Sequence, residues 1–238
     1  MGKRTKVSMP KVLLPLCGRT LASAALLAAA ELTPARTVVV LHNQKERVQA
    51  SLEQALAGGD GQPGRLASID YVDQGAPKGT GHAVQVGMEP LKDFVGDVVV
   101  IYGDCPLMTA ETLQELVDLR GDSACSALTA YPDDATGLGR ILRDEEGRFV
   151  GIREQKDCSD EEAQIDEINC GFYCFDSEKL RPALARLTRA RYAAFCASCS
   201  CLRCAALALA FSFCFCALSD WRRTWRGWSR SVPMRTCA

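Results

Sequence analysis

The chain has 238 residues, 47% of them hydrophobic, with 24% charged and only two histidines. That length suits one α/β domain with a packed core and leaves no room for a second of similar size. The net charge of −1 gives no general case for a nucleic-acid partner, but it averages two unlike pieces: residues 1–188 hold 20 Lys+Arg against 28 Asp+Glu, whereas 189–238 hold eight Arg, no Lys and a single acid, Asp220. Seven of the 13 cysteines and all three tryptophans also lie after Thr188, so a boundary is expected there.

The start, "MGKRTK" followed by "VLLPLCG", imitates a secretory signal, but Pro15 and Arg19 interrupt the apolar run and no stop-transfer pattern follows. Lys6 breaks the myristoylation pattern. Arg4 and Lys11 flank a strand-like start. Two cations near a glycine suit polyphosphate neutralisation, although spacing alone favours a solvated basic end.

"TLASAALLAAAEL" (20–32) predicts a helix facing a sheet, and "TVVVLH" (37–42) a buried strand. A helix over 43–57, a strand over 67–72 and a helix over 81–91 follow. The loop between the last two, "QGAPKGTGHA" (74–83), holds Gly75, Gly79, Thr80 and Gly81, whose N–H groups could meet an anion or a flat base; an ordinary glycine-rich connection reads the same way. His82 there reads as a packing residue.

"DVVVIY" (97–102) is the next strand, and it ends on Gly103–Asp104. Ligands of open α/β sheets sit beyond the carboxyl ends of the strands, so Asp104 stands where a hard cation and a phosphate chain would meet, unless it merely caps the turn before Pro106. A helix over 109–119 opens at Thr109. Strands alternating with helices predict a parallel, doubly wound arrangement to this point. After residue 123, "SACSALTAY", "GRILRDEEGRFVGIRE" and "INCGFYCF" predict strands without matching helices, as a mixed-sheet segment covering a pocket. A helix over 177–187 closes the first piece, with Ser177 as its expected N-cap. The six cysteines of this piece read as small buried hydrophobes. No repeat, Ser-His-Asp set, HExxH or P-loop pattern occurs.

Six ordered blocks, "MPKVLLPLCGRTL", "GTGHAV", "YGDCPLMTAETL", "ATGLGRI", "GIREQKD" and "DEINCG", resemble the bacterial bifunctional N-acetylglucosamine-1-phosphate uridyltransferase/glucosamine-1-phosphate acetyltransferase family, over its N-terminal pyrophosphorylase domain only. The resemblance spans about residues 2–188. It implies a nucleotide-diphospho-sugar transferase fold, a Rossmann-like mixed sheet flanked by helices. The activity implied is transfer of UMP from UTP to N-acetylglucosamine 1-phosphate with Mg2+, in the cytoplasm, supplying peptidoglycan or lipopolysaccharide precursors. It further implies that Gln74, Gly79 and Thr80 hold the uracil, that Tyr102 and Gly103 line the nucleotide and that Asp104 binds the metal. Gly139, Glu154 and Asn169 would hold the sugar, and Arg4 and Lys11 the phosphates. No nucleic acid or membrane partner is implied. Another sugar-phosphate or pterin nucleotidyltransferase of the same fold is the nearest alternative.

The chain also departs from the family. It starts near the "Gly-x-Arg" of the family's first loop, so the first, central strand is expected to be missing, leaving unpaired ladder groups. The Tyr-Tyr stretch, the second metal ligand and the hexapeptide repeats are absent. Residues 189–238 are expected to be a disordered or non-native tail, the product of a shifted reading frame. Its Cys196, Cys199, Cys201 and Cys204 allow a metal-site alternative, and its uncharged stretch 205–218 a tail-anchor alternative, which together describe a non-catalytic remnant.

Overall fold

The computed structural model describes residues 9–57, 68–186, 196–199, 202–204 and 213–218. The first element among the described residues is a 3-10 turn, Lys11–Leu13, in place of the expected strand. Pro10 and Pro15 flank it, and proline supplies no N–H for a ladder. A two-residue hairpin follows, β1 (Pro15–Leu16) and β2 (Arg19–Thr20), around Cys17 and Gly18, both at positive φ as a tight type I′ turn demands.

Helix α1 (Leu21–Ala30) starts at a reciprocal capping box. The Ser23 N–H donates to Thr20 Oγ1 at 3.2 Å, and the Thr20 N–H to Ser23 Oγ at 3.0 Å. Then come β3 (Arg36–Leu41), α2 (Lys45–Ala57), β4 (Ile69–Asp73), α3 (Thr80–Gly87), β5 (Asp97–Tyr102) and α4 (Ala110–Arg120), each within a few residues of its predicted place. Beyond them lie β6 (Cys125–Ala130), β7 (Arg140–Arg143), β8 (Phe149–Arg153), the short α5 (Asp160–Ala163), β9 (Ile168–Asp176) and α6 (Ser177–Ala185). The tail contributes a hairpin, β10 (Cys196–Cys199) with β11 (Leu202–Cys204), and β12 (Phe213–Leu218).

Eight strands make one mixed sheet, in the order β4-β3-β12-β5-β9-β7-β8, with β6 paired to β9. Its two faces are both buried, which is why the strands are near-continuous apolar runs. Val38, Val40, Val98 and Val100 point to the α3 and α6 side. Val39, Leu41, Val99 and Ile101 point to the side covered by α1, α2 and α4.

The expected gap in the centre is filled. Strand β12 runs antiparallel to both neighbours, with Phe215 opposite Val38 on β3 and Val100 on β5. Two buried strands facing each other across a gap present ladder groups that no water can reach, and any neutral extended segment within reach is drawn in to satisfy them. Ser177 is not the cap of α6. Asp176 is, accepting from the Glu178 and Lys179 N–H groups, while Ser177 turns inward, accepting from the Gly96 N–H and donating to the Phe94 carbonyl. The cysteine expectation holds for the buried Cys125 and Cys174 but not for exposed Cys17, and none of the six is in a disulfide.

Phe215→Pro removes a ladder donor from a strand paired on both sides. A carbonyl left unpaired there costs about 1–3 kcal/mol, so the urea midpoint of the variant is expected to fall. An unchanged midpoint would show that β12 contributes nothing to the sheet.

Candidate active site

The carboxyl ends of β3, β4 and β5 reach one edge of the sheet, since Val40 and Tyr102 share Phe213 as partner and Leu41 lies opposite Asp73. At the tip of β5 the chain turns through buried Gly103, and the Asp104 side chain, 7% exposed, receives Lys11 Nζ on Oδ2 at 2.8 Å. Lys11 is placed there by its neighbours: Val12 and Leu13 are buried beside α1, which leaves the ammonium half-exposed above the carboxylate.

No group of three His, Cys, Asp or Glu among the described residues could hold a metal by itself. Magnesium does not need one. It takes one or two carboxylates and completes its shell with water and phosphate oxygens, which is what a single hard carboxylate at a strand tip offers. Adjacent Cys105 is no rival ligand, because burial first, and the Asp104 charge second, push its thiol up to about 11.

On β4's side, the Gln74 N–H extends the pairing to the Leu41 carbonyl (2.7 Å). Its buried carboxamide donates to the Gly79 carbonyl at 3.1 Å. That bond holds the loop in a closed turn. Gly79 adopts φ 117°, a region that favours glycine, and places buried Thr80 as the first residue of α3. His82 follows, its imidazole driven below the usual value by burial and then by Lys78, hence neutral, as the packing reading expects.

The third group gathers at the β7–β9 end. The Asn169 N–H donates to the Gly139 carbonyl (2.9 Å), and a Cβ on Gly139 would lie 3.6 Å from Glu154 Oε1. Glu154 is 6% exposed, and burial pushes its carboxyl up against the opposing pull of Lys156. Buried Arg140 ties the preceding loop down through the Ala135 and Leu138 carbonyls, each at 2.6 Å, a role that no sequence pattern advertised.

Gly171 joins this group to the first. It stands at φ +81°, and a Cβ there would collide with the edge of the Tyr102 ring, 2.8 Å from Cζ and 2.9 Å from the hydroxyl oxygen. Tyr102, Gly103, Asp104, Lys11, Gly139, Glu154 and Asn169 thus form one contiguous set. Gln74, Gly79 and Thr80 lie on the same sheet edge, reached through β3. Arg4 lies outside the described residues, as does Cys201 of the four-cysteine set and most of the 205–218 stretch. No helix among the described residues is long and apolar enough to cross a membrane. Gly171 and Tyr173 were not singled out by sequence, though the glycine of "EINCG" marked the place.

The sequence profile described as the MobA-like NTP transferase domain matches residues 1–201. The chain belongs to this family. Among its relatives is the bifunctional protein GlmU of Synechococcus sp. (strain RCC307), 40% identical over 79% of the chain and 40% of the relative. Another is that of Mycobacterium sp. (strain KMS), 42% identical over 78% of the chain and 36% of the relative. This MobA-like transferase therefore spans about 40% of the length of the curated relatives it matches. Solved structures agree in fold. HddC from Yersinia pseudotuberculosis superposes with TM-score 0.55 at 18% identity, covering 76% of this chain and 73% of its own. A UDP-glucose pyrophosphorylase complexed with UDP-glucose gives 0.54 at 20%, covering 74% and 71%.

Two variants of this MobA-like transferase probe the geometry. Gly171→Ala forces Tyr102 to move and is expected to lower the urea midpoint. Adding Tyr102→Ala should recover part of that loss, leaving roughly 1–2 kcal/mol for the unfavourable φ. Absence of any recovery would place the strain elsewhere. Glu154→Gln tests burial. A carboxyl held high in the fold contributes stability below the ordinary glutamate value, and that contribution is lost as pH rises through the raised value. The variant is therefore expected to melt higher than the parent at neutral pH and to lose that advantage in acid; a lower melting temperature at neutral pH would mean that the carboxylate is satisfied rather than merely buried.

Proposed function

We propose that the chain transfers UMP from UTP to N-acetylglucosamine 1-phosphate, releasing pyrophosphate, with Mg2+ as the metal. The observation that carries this reading is the Lys11–Asp104 pair at the tip of β5, contiguous with Tyr102, Glu154 and Asn169 and on the same edge as Gln74 and Gly79. It is supported by the 40% identity to bifunctional GlmU proteins. Residues 1–188 form the catalytic unit in this reading, with the tail outside the chemistry, and both substrates suit a cytoplasmic protein.

A phosphate oxygen of the sugar attacks the α-phosphorus of UTP. One P–O bond forms, the bond to the β-phosphate bridge breaks, and pyrophosphate leaves with its electrons. The nucleophile is already an anion, so no protein base or covalent intermediate is needed, and a site without a histidine base suffices. What the protein must supply is alignment and positive charge.

Asp104 would hold Mg2+, which when bound neutralises phosphate charge. Lys11 stands against the same carboxylate, and once that charge is shared its ammonium is available to the phosphates. Arg4 would add a second cation from the N-terminal segment. Gln74, Gly79 and Thr80 frame the uracil, Tyr102 and Gly103 the nucleotide, and Gly139, Glu154 and Asn169 the sugar. Glu154 accepts sugar hydroxyls best as a carboxylate, which offers more and stronger acceptor sites than the protonated acid, so its raised pKa makes sugar binding weaken early as pH falls.

The test is pyrophosphate release from UTP and N-acetylglucosamine 1-phosphate, with and without magnesium, using the parent and Asp104→Asn. Release is expected to need the metal and to fall by about a hundredfold or more in the variant. Undiminished release would remove Asp104 from the mechanism. Faster turnover with glucose 1-phosphate than with the N-acetyl sugar would reassign the substrate.

A further inference from the structure

Resting on that reading, the geometry around Asn169 points to a positioning residue, Tyr173, that makes the Asn169 carboxamide a one-way hydrogen-bond donor. We infer that Tyr173 holds the amide oxygen turned inward and one amide hydrogen turned to the sugar pocket. Asn169 then recognises an acceptor, such as the carbonyl oxygen of an acetamido group, and cannot serve a donor.

Residues 169, 171 and 173 lie on one face of β9, because strand side chains alternate. Between the outer two the strand is irregular: Ala127 and Thr129 of β6, two residues apart, face Tyr173 and Asn169, four apart, and Gly171 stands at φ +81°, so β9 bulges. Asn169 folds back across Gly171 to meet the Tyr173 hydroxyl, at 2.8 Å from Nδ2 and 3.0 Å from Oδ1. The Gly171 N–H also donates to Oδ1 at 3.0 Å.

That backbone donor decides which way the amide faces. A flipped carboxamide would point its NH2 at another N–H. With Oδ1 fixed inward, its two lone pairs are taken by the Gly171 N–H and the Tyr173 O–H. One hydrogen of Nδ2 goes to the Tyr173 oxygen. The other hydrogen is what Asn169 has left to offer. Gly139 neighbours Asn169, its carbonyl taking the Asn169 backbone N–H, and Glu154 borders Gly139 in turn.

Tyr173 is suited to anchor this arrangement. Its ring is 7% exposed, belongs to the core under α3 and α6, and packs on Phe175 at 5.5 Å between centroids. The hydroxyl therefore sits at the end of an immobile lever, and the amide it holds is preorganised before a ligand arrives.

Tyr173→Phe removes the hydroxyl and keeps the ring. Two measurements on the intact chain are informative. The first, independent of any substrate, is hydrogen exchange of the Asn169 side-chain NH2 by NMR. It is expected to accelerate by about tenfold in the variant, in line with the loss of one hydrogen bond. The second is steady-state kinetics. KM for N-acetylglucosamine 1-phosphate should rise by about fivefold while KM for UTP and kcat stay within about twofold, and the preference over glucose 1-phosphate should shrink by a similar factor. A residue that merely supported the fold would lower the melting temperature and affect both substrates alike. Asn169→Asp, which keeps two acceptors and no donor, should abolish the preference for the acetamido sugar.

Unchanged amide exchange in Tyr173→Phe would overturn the inference whatever the reaction. Equal rises in KM for both substrates would overturn it as well. If the parent chain turns over no N-acetylglucosamine 1-phosphate, the functional reading fails, and the exchange measurement still decides whether Tyr173 positions Asn169.

Discussion

A strand that is apolar on both faces and paired on both edges can present a charge only at its tip. Strand β5 is such a strand: Val98, Val99, Val100 and Ile101 are all buried, with β12 on one side and β9 on the other. Every other route out of the core is closed to a carboxylate, because an unpaired buried charge would shift its equilibrium toward the neutral form or disrupt the packing. Asp104 is therefore held at a fixed point of the sheet edge, and Lys11 meets it there. The rest of the candidate site is arranged around that point.

The same constraint explains the central slot. Strands β3 and β5 run in the same direction but are not neighbours, and the ladder groups they turn toward each other must be met. Strand β12 meets them, antiparallel to both. The sheet's geometry at β5, and with it the position of Asp104, thus depends on a segment more than a hundred residues further along the chain. Chemistry at the strand tip and completeness of the ladder behind it are two consequences of one requirement, that buried backbone polar groups find partners.

Glycine couples the two halves of the site. At Gly171 the absence of a side chain admits the Tyr102 ring, and the positive φ bends β9 so that Asn169 reaches Tyr173. The Tyr102 side and the Asn169 side of the candidate site thereby meet at one backbone position. This arrangement fits a reaction whose difficulty is bringing two anions into line rather than making a nucleophile, since alignment is what packed glycines and clamped amides supply.

The sequence alone was sufficient for what depends on local pattern. The apolar run 97–102 and its Gly–Asp ending placed β5 and Asp104, and Thr109 and the apolar spacings placed the helices, because capping and amphipathic spacing are properties of neighbouring residues. It also carried the resemblance that named the site residues. It could not decide contacts between distant segments. That Asp176 rather than Ser177 caps α6 follows from Ser177 being claimed by Gly96 and Phe94, far away in the chain. That a tail with alien composition enters the sheet follows from unmet hydrogen bonds on β3 and β5, which belong to no local window. The contact of Tyr173 with Asn169 likewise appears only when β9 is seen to bend at Gly171, since an i, i+4 spacing in a strand ordinarily brings no side chains into contact.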